Sequence, residues 1–270
     1  MHPSSSYLIL ATPRSGSYLL CEALINTNVA GRPTEYFGTP QIRALLKQWG
    51  LTSFAACLTS ILQEGSTPNG VFGAKIIWEF REYFIDHLRE IDGYEKLPMS
   101  QLLSTVFPNL RYIWITRRDK VRQAISYWKA LQTGFWVEVQ DWETKYAVYQ
   151  SAGWRELVTK GQRENRRMWG IVDGEVKFDF KAIERLRQGI EDDEAEIQQY
   201  FATCGISPFT VVYEDFVQNY EETARQVLAY LRISEPEDLV FSARKLQKQS
   251  NEQSEEWLQQ YYRLRTEMCI

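Results

Sequence analysis

The sequence predicts an α/β fold, a central parallel sheet flanked by helices. Three observations lead there. Four short apolar runs, residues 7–11, 71–77, 110–116 and 209–213, are rich in β-branched or aromatic residues. Helical periodicity fills the intervals between them, the alternation that builds a parallel sheet covered on both faces. Polar or charged residues stand at each run's end: Arg14 after the first, Lys75 within the end of the second, Arg117 and Arg118 after the third, Glu214 and Asp215 after the fourth. Ligands of such sheets gather at the carboxyl ends of the strands, so these residues mark the functional edge.

The first run passes through Thr12-Pro-Arg-Ser-Gly-Ser17 into a helical pattern with Leu19, Leu20, Ala23 and Leu24 on its apolar face. A strand feeding a helix through such a turn aims backbone N–H groups and a helix N-terminus at one point, which suits phosphate. A Walker A loop would end in Gly-Lys-Ser/Thr, and no such tripeptide occurs. Arg14 sits in the turn instead. The expectation is an anion held by arginine and backbone with no metal; an ordinary strand–turn–helix corner is the plainer alternative.

Residues 38–68 read as helical, with Leu45, Leu46, Trp49, Phe54, Leu58, Ile61 and Leu62 as apolar members. After the third run, Asp119 can begin a helix that buries Val121, Ala124, Ile125 and Trp128. Arg117 and Arg118 precede that helix, and Ser126 follows them by nine and eight residues. An arginine fork and a hydroxyl so placed can grip one phosphate; a charged helix start with a flanking serine is the other reading. Residues 132–175 are rich in Trp and Tyr without a regular period (Phe135, Trp136, Trp142, Tyr146, Tyr149, Trp154, Trp169). Residues 181–203 form a helical pattern with Ile183, Leu186, Ile190, Ile197 and Tyr200 on one face. The acidic run of residues 191–194 reads as its solvated face. No repeat, low-complexity tract or linker divides the chain, so residues 1–270 are expected to form a single domain with inserted helical segments.

At 270 residues the chain can bury a sizeable core, and its 44% hydrophobic and 24% charged residues are ordinary for a globular protein. A net charge of -4 supplies no global field for nucleic acid, so any anion site must be local. Cys21, Cys57, Cys204 and Cys269 are scattered without a C-x-x-C pair, which argues against a zinc knuckle or disulfide framework and fits a reduced cytoplasm. No apolar run approaches the roughly 18 residues of a membrane span, and no signal peptide precedes Tyr7. Histidine occurs only at His2, in the terminal tail, and at His87, a surface or packing position of a helical pattern.

Two anion grips at one sheet edge would suit a nucleotide charged on both the 5′ and 3′ sides of its ribose. Here the chain resembles a family. Thr12-Pro-Arg-Ser-Gly-Ser-Tyr-Leu-Leu20 is similar to the 5′-phosphosulfate loop of the sulfotransferases that use 3′-phosphoadenosine-5′-phosphosulfate (PAPS), and Arg117/Arg118 to Ser126 resembles their 3′-phosphate motif. The nearer likeness is to the bacterial trehalose 2-sulfotransferase family. It lies in Gly31-Arg-Pro-Thr-Glu-Tyr-Phe37, in residues 67–78 and 123–133, and in Ser254-Glu-Glu-Trp257. It is densest over the first 136 residues and near the C-terminus, and weak over residues 137–205. Two departures stand out. Tyr18 occupies a place where the family usually has Thr. A spacing of eight selects Arg118 as the 3′-phosphate ligand, whereas the trehalose-type spacing of nine selects Arg117; both remain candidates.

The resemblance implies a P-loop-like sulfotransferase fold with helical insertions. It also implies transfer of a sulfuryl group from PAPS to a hydroxyl of a sugar or glycolipid, with PAP (adenosine-3′,5′-bisphosphate) as product, no metal, and a homodimer. Glu35 would be the general base. Arg14 would stabilise the developing charge, with Ser15, Gly16, Ser17 and Tyr18 around the 5′ side and Arg117, Arg118 and Ser126 around the 3′ side. Lys75 would hold the acceptor, orient Glu35, or simply form an ion pair. Trp78, Trp128 and Trp136 could stack on sugar or adenine, or pack in the core. Glu214 and Asp215 would cap a helix or fix the arginines. Two rival readings are a P-loop kinase or NTPase that has lost its lysine, and a non-catalytic nucleotide-binding scaffold with residues 132–175 as its partner surface.

Overall fold

A computed structural model describes residues 2–134, 136, 176–242, 244 and 251–268. Phe135, Trp142, Tyr146, Tyr149, Trp154, Trp169 and Cys269 lie outside the described residues.

Four strands form one parallel sheet: β1 (Ser5–Ala11), β2 (Val71–Ile77), β3 (Arg111–Thr116) and β4 (Phe209–Val212), in the order β2-β1-β3-β4. All four expected strands are present, and only their ends shift. Tyr213, read as the end of the fourth, begins a helix instead. Residues 6–11 of β1 are all buried, as a central strand covered on both faces must be. Alternation divides them between two cores. Leu8 and Leu10 meet Phe37, Phe72, Phe84 and Phe107 on one face. Tyr7, Ile9 and Ala11 meet Leu20, Leu24, Val227 and Leu228 on the other.

The chain leaves β1 for β2 on one side and then crosses to β3 on the other, so the strand order reverses between β1 and β3. Register places Ala11 opposite both Ile77 and Ile115. The turns that follow β1 and β3 therefore emerge side by side at the switch point of the sheet, where open α/β folds bind their ligands.

Among the described residues the α-helices are α1 (Ser17–Ile25), α2 (Thr39–Trp49), α3 (Phe54–Glu64), α4 (Arg81–Arg89), α5 (Met99–Val106), α6 (Lys120–Thr133), α7 (Phe180–Cys204), α8 (Tyr213–Gln218), α9 (Tyr220–Leu231) and α10 (Glu252–Glu267). The helical stretch expected over 38–68 is two helices. Gly50 ends α2 in the left-handed conformation with φ 63, and the Ser53 hydroxyl accepts from the Ala56 N–H to open α3. Asp119 caps α6 as its sequence promised, accepting from the Arg122 N–H at 2.9 Å. A third core joins Val121, Ile125 and Trp128 of α6 to Ile183 and Leu186 of α7 and to Trp257 and Tyr261 of α10.

One expectation fails on α7. The acidic run 191–194 is not wholly a solvated face, because Glu194 is buried and accepts from Thr116 Oγ1 at 2.8 Å and Lys120 Nζ at 2.6 Å. A carboxylate is tolerated inside when cations and donors meet it, and here they come from the end of β3 and the start of α6. His87 packs between Phe54 and Tyr83, with Nδ1 3.0 Å from Glu90. Among the described residues, no helix is long and apolar enough to cross a membrane.

Candidate active site

The turn after β1 is held in an unusual backbone shape. Arg14 and Gly16 both adopt positive φ, 63° and 91°. At Gly16 glycine is required twice over, by that φ and because an added Cβ would lie 2.3 Å from the Tyr213 ring. Thr12 C=O accepts from the Ser15 N–H, and Gly16 C=O from Leu19 and Leu20, so the turn runs straight into α1. Its side is pinned by Gln123 of α6, whose Nε2 donates to Thr12 Oγ1 at 2.9 Å and Pro13 O at 2.7 Å. Ser15 Oγ is buried and has no hydrogen-bond partner among the described residues. Ser17, also buried, opens the helix.

Arg14 reaches across to the second turn. Its Nε donates to Ser126 Oγ at 3.0 Å and its terminal nitrogen to the carbonyl of Trp136. The 5′-side and 3′-side candidates thus touch, as a shared sheet edge requires.

The two arginines after β3 diverge. Arg118 is exposed and spent on a forked ion pair with Asp215, and its backbone N–H donates to Glu214 at 3.0 Å. Arg117 turns inward. Its guanidinium lies 4.9 Å from the centre of the Tyr213 ring, the same ring that closes over Gly16, and its Nε stands 3.8 Å from Glu214. That Nε has no hydrogen-bond partner among the described residues. Glu214 and Asp215 fix the arginines and receive the N–H groups at the head of α6, as expected.

Glu35 stands on the other side of β1. The segment before it runs along the free edge of β2, with Thr34 C=O accepting from the Lys75 N–H at 2.8 Å, so the side chains of Glu35 and Lys75 meet. Lys75 Nζ, wholly buried, lies 2.9 Å from Glu35 Oε2. Tyr18 donates to the same oxygen at 3.3 Å, and Gln41 donates to Oε1 at 3.2 Å. The hydroxyl of Tyr18 is therefore delivered to the carboxylate rather than to the turn of residues 12–16. Burial, and then the neighbouring Glu35 charge, hold its ionisation well above 10, so it stays a donor. A small recess of about 10 Å³, room for one water-sized group, opens beside Glu35, lined also by Phe37, Gly38, Ile77 and Phe80.

The tryptophans separate. Trp78 is a core residue, its indole N–H donating to Glu196 at 3.0 Å and its ring set against Tyr200 and Arg81. Trp128 is likewise buried, donating to the Lys177 carbonyl. Trp136 joins the site group, edge-on to Tyr127 at 5.7 Å. Tyr127 in turn donates to both carboxylate oxygens of Glu79, at 3.0 and 3.1 Å. The Glu79 side chain reaches the surface, yet lost hydration around its carboxylate pushes its ionisation up to about 7, against the Tyr127 hydrogen bond, with Asp193 and Glu35 adding to the rise. Gln41, Gln123, Tyr127 and Glu79 were not singled out from sequence. Gln123 alone carried a signal, three residues before Ser126 on one helical face. Among the described residues, no group of three or more His, Cys, Asp or Glu side chains is disposed to hold a metal ion.

Two cationic turns at the switch point of a parallel sheet, with a carboxylate beside them, define a site suited to an anionic ligand. The chain belongs to the Stf0 sulphotransferase family, whose sequence profile matches residues 6–151 and 145–264, and it is a sulfotransferase enzyme. It is similar to a trehalose 2-sulfotransferase of Mycobacterium tuberculosis, 26% identical over 284 residues that cover 94% of this chain and 93% of the relative. A trehalose 2-sulfotransferase of Mycolicibacterium smegmatis is likewise 26% identical, over 97% of this chain and 96% of its own. Among solved structures, a sulfotransferase from Alicyclobacillus acidocaldarius aligns over 97% of this chain and 92% of its own, with a TM-score of 0.48 and 11% identity.

Proposed function

We propose that the enzyme moves a sulfuryl group from PAPS to a hydroxyl of a sugar or glycolipid of trehalose type, with Glu35 as general base. The observation that carries the reading is the contact of Arg14 with Ser126, which joins the two anion grips on the edge where Glu35 also stands. The residues fit such a donor: Ser15 Oγ and Arg117 Nε, one in each grip, are buried polar atoms in want of a partner. Arg14, Ser15, Gly16 and Ser17 would hold its 5′ end, and Arg117 with Ser126 its 3′-phosphate. Arg118, committed to Asp215, would act by fixing the turn.

The donor supplies an activated sulfuryl group, whose S–O bond to phosphate is replaced by one to the acceptor oxygen. The chain's own residues do the rest. Glu35, fixed by Tyr18, Gln41 and Lys75, takes the proton of the acceptor hydroxyl. Arg14 offers a fork of donors where negative charge grows on the sulfuryl and phosphate oxygens. Lys75 orients Glu35, a role that its complete burial favours over direct contact with the acceptor. Trp136, near Arg14, would form a wall for the acceptor or donor, and the recess beside Glu35 would admit the reacting hydroxyl.

The test is incubation of the enzyme with radiolabelled PAPS and a panel of trehalose, trehalose glycolipids and other alcohols, with and without EDTA. Sulfated sugar and PAP in equal amounts, unaffected by chelation, are the expected products. Calorimetry separates the kinase alternative: tight binding of PAP is expected, and magnesium-dependent binding of ATP in its place would overturn the assignment.

A further inference from the structure

Tyr18, Lys75 and Glu35 close a triangle. The Tyr18 hydroxyl donates to Glu35 Oε2, the Lys75 ammonium faces the same oxygen, and that ammonium also lies 3.3 Å from the centre of the Tyr18 ring. Lys75 is wholly buried, and the Glu35 carboxylate is the one anion in contact with its Nζ among the described residues. The other groups facing this cluster are Cys21 from α1, Arg14 from the first turn, Glu79 just after β2 and Tyr127 of α6. Burial pushes the Cys21 thiol up to about 12, so it offers no counter-charge.

A base that accepts a proton becomes neutral. At that moment Lys75 is a buried cation stripped of its anion, a state that is costly unless something else answers the charge. The face of an aromatic ring is such a partner, and its attraction strengthens when the cation is desolvated.

Resting on the reading of Glu35 as the base, we propose that Tyr18 is a positioning residue with two separable tasks. Its hydroxyl fixes Glu35 Oε2, and its ring carries the charge of Lys75 while Glu35 holds the acceptor's proton. The proton leaves Glu35 for solvent after the sulfated product departs, which restores the ion pair.

The decisive experiment is a double-mutant cycle on the ligand-free, full-length chain, because it does not depend on which acceptor is used. Denaturant unfolding is measured for Tyr18→Phe and Tyr18→Leu, each alone and combined with Glu35→Gln, which puts a neutral amide in place of the carboxylate. With Glu35 present, the carboxylate shields Lys75 and Tyr18→Leu costs only its packing. In the Glu35→Gln background, Tyr18→Leu should lower the folding constant by about a further 30-fold, the worth of a desolvated cation–π contact. Tyr18→Phe, which keeps the ring, should show no such excess. If Tyr18→Leu with Glu35→Gln is too unstable to measure, Tyr18→Met takes its place. Additive losses for the ring deletion and Glu35→Gln would overturn the ring's role.

Kinetics with PAPS and trehalose give a second readout. Tyr18→Phe should lower kcat by up to about tenfold, since one hydrogen bond that fixes the carboxylate has gone. Tyr18→Leu should lower kcat by about a further 30-fold with PAP affinity unchanged. Equal kcat for the two variants would sink the proposal. Non-additivity in the unfolding cycle together with no sulfuryl transfer to any alcohol would instead uphold the triangle and reject Glu35 as a sulfotransfer base.

Discussion

Arg14 Nε donates to Ser126 Oγ over 3.0 Å, joining residues 112 positions apart. This bond makes the turn after β1 and the helix after β3 one unit. Gln123, a turn earlier on that helix, repeats the tie by donating to Thr12 and Pro13. A donor molecule seated in the first turn would thus be felt at once by the second.

Replacing Arg14 tests that unit. Arg14→Ala should lower kcat/KM by on the order of a hundredfold or more, the usual effect of losing a preorganised donor at developing charge. Arg14→Lys should recover little, because a single ammonium cannot span the Ser126 hydroxyl and the transferring group as a planar fork does. Steady-state kinetics with PAPS measure both.

Glu35→Gln should cut kcat by a factor on the order of 10²–10⁴ while leaving PAP affinity within a fewfold. The amide keeps the shape of the side chain and an oxygen for the Tyr18 hydroxyl, so the chain still folds, with lower stability because Lys75 has lost its anion. Parallel turnover assays and calorimetry check this. A nucleotide-binding scaffold would show no turnover to lose.

Arg117→Ala should erase the preference for PAP over adenosine 5′-phosphate, whereas Arg118→Ala should leave it within a fewfold. The first side chain is half-buried, with its unsatisfied Nε wholly buried beside Tyr213; the second is exposed and bound to Asp215. Competitive binding of the two nucleotides to each variant gives the ratio.

Acid should weaken the packing of α7 against α10. Glu184 accepts from Arg187, and also from Tyr261 of α10, and these bonds hold its ionisation down near about 2. A carboxylate whose folded pKa lies below its unfolded one stabilises the fold at neutral pH, and this contribution disappears as pH falls from about 4.5 towards 2. Glu184→Gln should therefore lower stability by on the order of 1 kcal/mol at pH 7, allowing for solvent screening, and by nothing near pH 2. Denaturant midpoints across that range are the measurement.

The fold was legible because its strands are short, apolar and bounded by turn residues, so β1 and β2 announce themselves by composition alone. The places of Arg14, Glu35 and Ser126 were legible for a related reason: a local motif fixes each against its own strand or helix. What could not be read was how side chains turn. The residue at position 18 stood next to an anion-directed turn in sequence, yet its long ring carries the hydroxyl to Glu35, since consecutive helical residues diverge by about 100°. Arg117 and Arg118 were inseparable by spacing and were separated by Glu214 and Asp215, which arrive on the helix that follows β4. Glu194 likewise looked like one more surface acid until Lys120 and Thr116 met it from the sheet edge.

The ring of Tyr213 occupies the space where any side chain at Gly16 would go. The first turn of the sheet is thus walled by a residue made roughly two hundred positions later, and contacts that span so much chain form late in folding. As the chain emerges from the ribosome, β1 and its turn exist long before their wall does. The wall of that turn is complete only once β4 has docked and brought Tyr213 with it.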